Sequence, residues 1–277
     1  MVSLSRPVVS FSTSKGGSGK TTLCVALAGV LAEEGARVAM IDTDPQQSLF
    51  EWSQKPGRPD AIDVFSAENE DRLCDVIEQC QATHHLTIID VQGRASELGN
   101  TAMAWSKLIV VPLQPAAFDA AGAANTIKAL KTLERARQTQ LRYATVMNRL
   151  SGAIRSRTAD AVREALQAGG VPVAGHFLDR EAYRVMTASG GTVFTLTDRQ
   201  APGLAKARAE SQLFALEVAK LIGLANQGQG ASPSQTTETQ VAGAVRDAGA
   251  AAEAAGEGAP LDETLDARLD EKIGAAA

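Results

Sequence analysis

One short segment constrains this chain more than any other. Ser14-Lys15-Gly16-Gly17-Ser18-Gly19-Lys20-Thr21-Thr22 stands between the apolar run Pro7–Ser12 and an apolar stretch with helical spacing. Glycines let a backbone turn successive N–H groups toward one point without Cβ clashes. A helix that begins directly after them adds unsatisfied donors and a partial positive charge. Such a loop cradles phosphate. Lys20 is placed to reach the β and γ oxygens, and the Thr21 hydroxyl to join a Mg²⁺ shell. Strand, glycine loop, helix is the context that this motif requires. Gly16, Gly17, Ser18, Gly19, Lys20, Thr21 and Thr22 are therefore the expected nucleotide-binding residues.

The rest of residues 1–225 repeats the strand–helix alternation. β-rich runs recur at Arg37–Ile41, Ile62–Phe65, Leu86–Ile89, Leu108–Val111, Tyr143–Met147 and Val171–Ala174. Stretches with apolar residues at helical spacing separate most of them, such as Leu23, Leu27, Val30 and Leu31, or Ile127, Leu130 and Leu133. This pattern predicts an α/β fold: a doubly wound, mainly parallel sheet with helices on both faces. Ligands of such sheets bind at the carboxyl ends of the strands. No uncharged apolar run is long enough to span a bilayer, and the first residues lack the pattern of an export signal. Cys24, Cys74 and Cys80 have no metal or redox spacing, so reduced structural thiols and a cytoplasmic location are expected.

The glycine loop departs from the ordinary G-x-x-x-x-G-K-[ST] pattern. Ser14 stands where the first glycine belongs, and a second lysine, Lys15, follows it. K-G-G-x-G-K-T-T resembles the deviant Walker A signature of the ParA/MinD superfamily of P-loop ATPases, and the resemblance extends over roughly residues 8–222. It implies Mg²⁺-dependent ATP hydrolysis and an ATP-bound homodimer, in which Lys15 crosses to the phosphates held by the other subunit. Lys15 and Lys20 are on that basis assigned to catalysis.

Three carboxylates follow in the order that the resemblance predicts. Asp42 and Asp44, in Asp42-Thr43-Asp44-Pro45-Gln46, end the second strand, and two acids at i and i+2 there can both face the metal and an attacking water. The family pattern D-x-D-P-Q implies that Asp44 positions the water, with Asp42 supporting the Mg²⁺ shell. Asp90, after four apolar residues, matches a Walker B acid and is expected at the metal beside Thr21. Val91-Gln92-Gly93-Arg94 replaces the usual Thr-Pro-Pro-like segment. Gly93 can still bring a backbone N–H to a γ-phosphate, and Arg94 is either a switch contact or surface. Asn148, after Tyr143–Met147, occupies the position that the resemblance assigns to adenine recognition, and an amide suits that edge.

Charge is distributed unevenly. Residues 226–277 carry nine acids and three bases, whereas 141–208 carry ten bases and five acids. The resemblance implies a non-specific double-stranded DNA surface on the second half, and Arg180 and Arg184 lie in the matching region. With the phosphate loop so near the first residue, an N-terminal helix-turn-helix is not expected. The implied function is plasmid or chromosome partition, or cargo positioning, on the nucleoid, with a ParB-like or other cargo-bound protein stimulating hydrolysis. Asp90–Ala124 also resembles accessory ATPases of conjugative transfer, which recruit a relaxase complex to a secretion channel. A MinD-like membrane role fits less well, because Leu261–Ile273 carries five acids and two bases, which anionic lipid repels. Residues 226–277, rich in Ala, Gly, Gln and Ser, are expected to form a flexible, disordered C-terminal tail with a short helix at 261–273.

Overall fold

The computed structural model describes residues 6–13, 16–93, 96–114, 140–151, 157–168 and 171–223, with parts of 127–138. Ser14, Lys15, Arg94 and the whole acidic tail lie outside the described residues.

Seven strands form one sheet: β1 (Val8–Phe11), β2 (Val38–Asp42), β3 (Ile62–Ser66), β4 (Leu86–Asp90), β5 (Leu108–Leu113), β6 (Tyr143–Leu150) and β7 (Val173–Leu178). Their order is β3-β2-β4-β1-β5-β6-β7, and every pairing is parallel. The central strands read as continuous apolar runs because helices cover both faces. Side chains alternate between those faces. Val9, Phe11, Met40 and Ile88 pack with the helices α1 (Lys20–Glu33), α2 (Ser48–Ser53), α6 (Glu181–Ser189) and α7 (Leu204–Ile222). Val8, Ala39, Ile41 and Ile89 pack on the other face with α3 (Glu70–Thr83) and α4 (Glu97–Trp105). Further along that second face, α5 (Arg157–Ala168) covers Leu113 and Met147, and Leu130 covers Ile109 and Val111.

Chain reversal about β1 sets up the site. β2, β3 and β4 lie to one side of it and β5, β6 and β7 to the other. A crevice opens at such a reversal, above the carboxyl ends of the strands. Asp42 and Asp90 are register partners at that rim, and Phe11, the last residue of β1, is also opposite Asp90. Both acids and the glycine loop therefore emerge side by side.

The seven strands are the seven that the sequence predicts, with shifts at their ends that are largest in β6 and β7. β7 runs from Val173 to Leu178 instead of Val171 to Ala174, and β6 continues past Met147 to Leu150. Among the described residues no helix is long and apolar enough to cross a membrane. Cys24 and Cys80 are buried and Cys74 is half-buried, all three as free thiols.

Candidate functional site

The loop after β1 delivers α1 with an unusual start. Gly19 stands before Lys20 at φ 90°, and no side chain caps the helix. Its first turn holds no acid, so no carboxylate of that turn competes for the exposed N–H groups. Gly17, at φ 74°, supplies the other left-handed turn. Gly19 also has no room for a side chain, since a Cβ there would stand 2.1 Å from Asn148 Nδ2. Neighbours pin the loop from outside. The Gln114 side chain donates to the Gly17 carbonyl at 3.0 Å, and the Asn148 amide donates to the Ser18 carbonyl at 2.9 Å.

The loop borders a cleft of ≈ 910 Å³ that Lys20, Thr21, Asp44, Gln92 and Gly93 also line. Thr21 donates its hydroxyl to Asp90 Oδ2 at 2.5 Å, joining the start of α1 to the end of β4. Asp90 is 3 % exposed. Burial pushes its carboxyl up to about 7, against the pull of the Thr21 hydroxyl and of Lys20, and Asp42 and Asp44 add to the rise. Such a carboxylate is poised to accept a cation. Gly93 lies close behind: a Cβ there would be 3.5 Å from Lys20 Nζ and 3.4 Å from the Gly16 nitrogen.

Asp42 is tied to backbone through both of its oxygens. Its Oδ2 accepts the backbone N–H groups of Leu49 and Phe50 at 2.9 and 3.0 Å, and its Oδ1 accepts that of Asp44 at 3.0 Å. The carboxylate therefore caps α2 and shapes the Asp44 turn. Burial raises its pKa even though these three donors oppose the rise. With both oxygens engaged by backbone N–H groups, Asp42 braces the Asp44 turn and the start of α2 behind the cleft-lining Asp44. Asp44, half-exposed, accepts the Gln46 N–H and lines the cleft directly. Thr43, between them, donates its hydroxyl to the Asp90 carbonyl at 3.0 Å and accepts from the Gln92 N–H at 3.2 Å. It ties the two acidic loops together.

A smaller cavity of ≈ 250 Å³ adjoins the cleft, lined by Asn148, Tyr183, Arg184 and Thr187 among others. Asn148 lines it as a base-reading residue would, but its amide is already committed on both ends. Besides the bond to Ser18, its Oδ1 accepts the Arg149 N–H at 2.9 Å. One donor and one acceptor position of the amide remain.

The two arginines nominated for DNA are placed differently from each other. Arg180 is 13 % exposed, with Nε and an Nη both on Glu210 Oε1 at 2.8 and 2.6 Å. Tyr183 donates to the other Glu210 oxygen at 2.9 Å and to the Ala207 carbonyl at 3.0 Å. Burial raises Glu210 above the usual carboxylate range, though Arg180 pulls the other way. Arg180 is thus a largely enclosed partner of Glu210 that locks the start of α6 to α7, not a free cation on an open face. Arg184 is more than half exposed but is paired with Asp179 at 2.7 Å and Glu181 at 2.9 Å. Sequence reasoning missed Glu210. A signal was present: it stands with Ala207, Ser211 and Phe214 on the buried stripe of α7, where a lone acid needs a partner.

Among the described residues, no three His, Cys, Asp or Glu side chains converge as a metal cage. The oxygens of Thr21 and Asp90 suit a small hard cation, which binds through one or two protein oxygens together with water and substrate phosphates. The glycine cradle above them leaves room for those phosphates.

Comparison with known proteins agrees with this geometry. The chain matches the VirC1 protein family over residues 7–223. It is 30 % identical to the protein ParA of Rhizobium radiobacter over 215 residues, which covers 77 % of this chain and 96 % of that protein. The MinD cell division protein of Aquifex aeolicus, solved in complex with MinC, superposes with a TM-score of 0.63 at 15 % identity, over 77 % of this chain and 96 % of that one. A plasmid partition protein of Borrelia burgdorferi bound to AMPPNP superposes with a TM-score of 0.59 at 16 % identity, over 78 % of this chain and 99 % of that one. The chain belongs to the VirC1 protein family, among the P-loop ATPases of the ParA/MinD type.

Proposed function

We infer that this protein is a Mg²⁺-dependent ATPase whose bound nucleotide governs homodimerisation and, through it, non-specific binding to double-stranded DNA. The observation that carries this reading is the 2.5 Å bond between Thr21 and Asp90 beneath an uncapped, glycine-fronted helix, with Lys20 in the same cleft. The N–H groups of 16–22 and the Lys20 ammonium would hold the β- and γ-phosphates, and Thr21 and Asp90 would hold Mg²⁺. A metal held there neutralises charge on the transferring phosphoryl group. Asp44, on the cleft wall, would orient the water that attacks it. Lys15 would reach the phosphates of a partner subunit, which makes dimerisation depend on ATP.

Doubling one weak DNA surface in the dimer raises affinity without any new contact. Arg184 remains an exposed contributor to that surface, while Arg180 does not. In a partition or positioning role, a ParB-like or other cargo-bound activator would stimulate hydrolysis and release the dimer from the nucleoid. The match to the VirC1 family favours a second reading, the accessory ATPase of conjugative transfer described above.

The test is mass by light scattering and duplex DNA affinity, each with ATP, ADP and no nucleotide. ATP is expected to give a dimer and a DNA affinity that falls steeply with salt. Lys15→Ala should bind ATP but stay monomeric. Identical mass and DNA affinity in all three nucleotide states would refute the switch.

A further inference from the structure

β6 does not run straight to its end. Its register with β7 shifts between Met147 and Leu150, an irregularity of the kind that re-aims side chains beside sites. Within it Arg149 adopts φ 54°, a left-handed conformation that glycine takes freely and a side chain with a Cβ resists. Asn148 holds it there. Its Oδ1 accepts the Arg149 N–H while its Nδ2 donates to the Ser18 carbonyl, so a single amide couples the Arg149 backbone to the phosphate loop.

The Arg149 side chain lies on the boundary between two spaces. It lines both the cleft of ≈ 910 Å³ and the cavity of ≈ 250 Å³, and only Thr22 and Thr187 share that position. Apart from Lys20 at the phosphate loop, the other cations on these walls are engaged: Arg180 with Glu210, Arg184 with Asp179 and Glu181, and Lys55 with the Thr187 carbonyl. Arg149 is exposed and makes no ion pair among the described residues. A nucleotide with its terminal phosphates over Lys20 and Thr21 and its nucleoside in the smaller cavity must cross this boundary at the α-phosphate. Thr22, one residue beyond Thr21 on α1, marks the same level.

We propose that Arg149 is a nucleotide-binding residue, its guanidinium forking onto the α-phosphate of bound ADP or ATP. The proposal rests on the phosphate-loop reading above. A planar guanidinium offers two parallel donors to phosphate oxygens, which suits one fixed position better than a mobile ammonium does. The left-handed backbone gives the bulged residue that fixed position.

Calorimetric titration with ADP and with ATP tests this on the full chain, using Arg149→Gly, Arg149→Lys and Lys20→Ala. Arg149→Gly is expected to melt no lower than the parent, because glycine accepts φ 54°. Its Kd for ADP and for ATP should nonetheless both rise by roughly 10-fold to 100-fold, the range for a lost charge-assisted pair. Arg149→Lys should recover part of the loss. Parental affinity of Arg149→Gly for both nucleotides would overturn the proposal. So would a loss confined to ATP, which would move the contact to the γ-phosphate, or a loss of DNA affinity at unchanged nucleotide Kd. If the parent protein bound neither nucleotide, the phosphate-loop reading would fall as well. If Lys20→Ala lost binding and Arg149→Gly kept it, only the Arg149 assignment would fall.

Discussion

Replacing Glu210 by Ala removes the carboxylate that Arg180 and Tyr183 share, at a site where Glu210 is 2 % and Arg180 13 % exposed. Breaking a buried ion pair by deleting one partner costs about 3–5 kcal/mol, mostly the desolvated charge left behind. In a domain of this size each kcal/mol lowers the melting temperature by about 2–4 °C, so a fall of roughly 10 °C is expected. Arg180→Ala should cost a similar amount, because it strands the Glu210 carboxylate instead. The double variant Arg180→Met with Glu210→Leu should recover most of the loss, since neither charge then needs burying. Tyr183 would keep its bond to the Ala207 carbonyl in all three variants. Thermal unfolding followed by circular dichroism measures each of these quantities. An Arg180→Ala protein melting within 2 °C of the parent (about the effect of 1 kcal/mol) would refute the structural role and restore Arg180 as a surface cation.

Two further outcomes concern chemistry and acid stability. Lys20→Ala should abolish nucleotide binding, whereas Asp44→Ala should bind ATP normally and lose roughly 10²–10⁴-fold in turnover, the range for a positioned base; equal turnover of Asp44→Ala and the parent in a phosphate-release assay would reject the role. Burial, followed by the Arg163 charge, lowers His176 to about 4, and its Nε2 is buried with no hydrogen-bond partner among the described residues. The folded state therefore holds this imidazole neutral while the unfolded chain protonates it near 6.5, so its contribution is complete above pH 6.5 and is lost as pH falls toward 4. Allowing for its partial exposure, the parent should lose up to about 2 kcal/mol more than His176→Gln between pH 7 and pH 4.5 in urea unfolding; equal losses would show that His176 is not held neutral.

The sheet was legible because its strands are buried on both faces, and continuous apolar runs such as Leu86–Ile89 have few other uses. β7 was read short because Gly175 and His176 interrupt its apolar character. Gly175 nonetheless fits a close packing there, since a Cβ would press to 3.3 Å from the Phe214 ring. The phosphate loop and Asp90 were legible as a motif because local spacing fixes them. The roles of Asp42 and Arg180 were not, because each depends on groups remote in the chain or on a helix start with no sequence mark. Asp42 is claimed by N–H groups of α2, and Arg180 by an acid 30 residues away. Counting bases over 141–208 could not separate cations that face solvent from those consumed inside, such as Arg208 on the Val193 and Leu196 carbonyls.

Trp52 lines the phosphate cleft, is 1 % exposed, and donates its indole N–H to the Gly191 carbonyl at 3.1 Å. The same seam brings Gly57 so close to Gly191 that a Cβ on Gly57 would stand 2.8 Å from the Gly191 nitrogen. The chain has one other tryptophan, Trp105, partly open to solvent at the end of α4 on the opposite face of the sheet. The molecule thus carries its own optical gauge. Indole emission depends on polarity and hydrogen bonding, so any opening of the seam between the Asp44 segment and the loop after α6 would register at Trp52, and Trp105→Phe would leave that single emitter to be read without an attached dye.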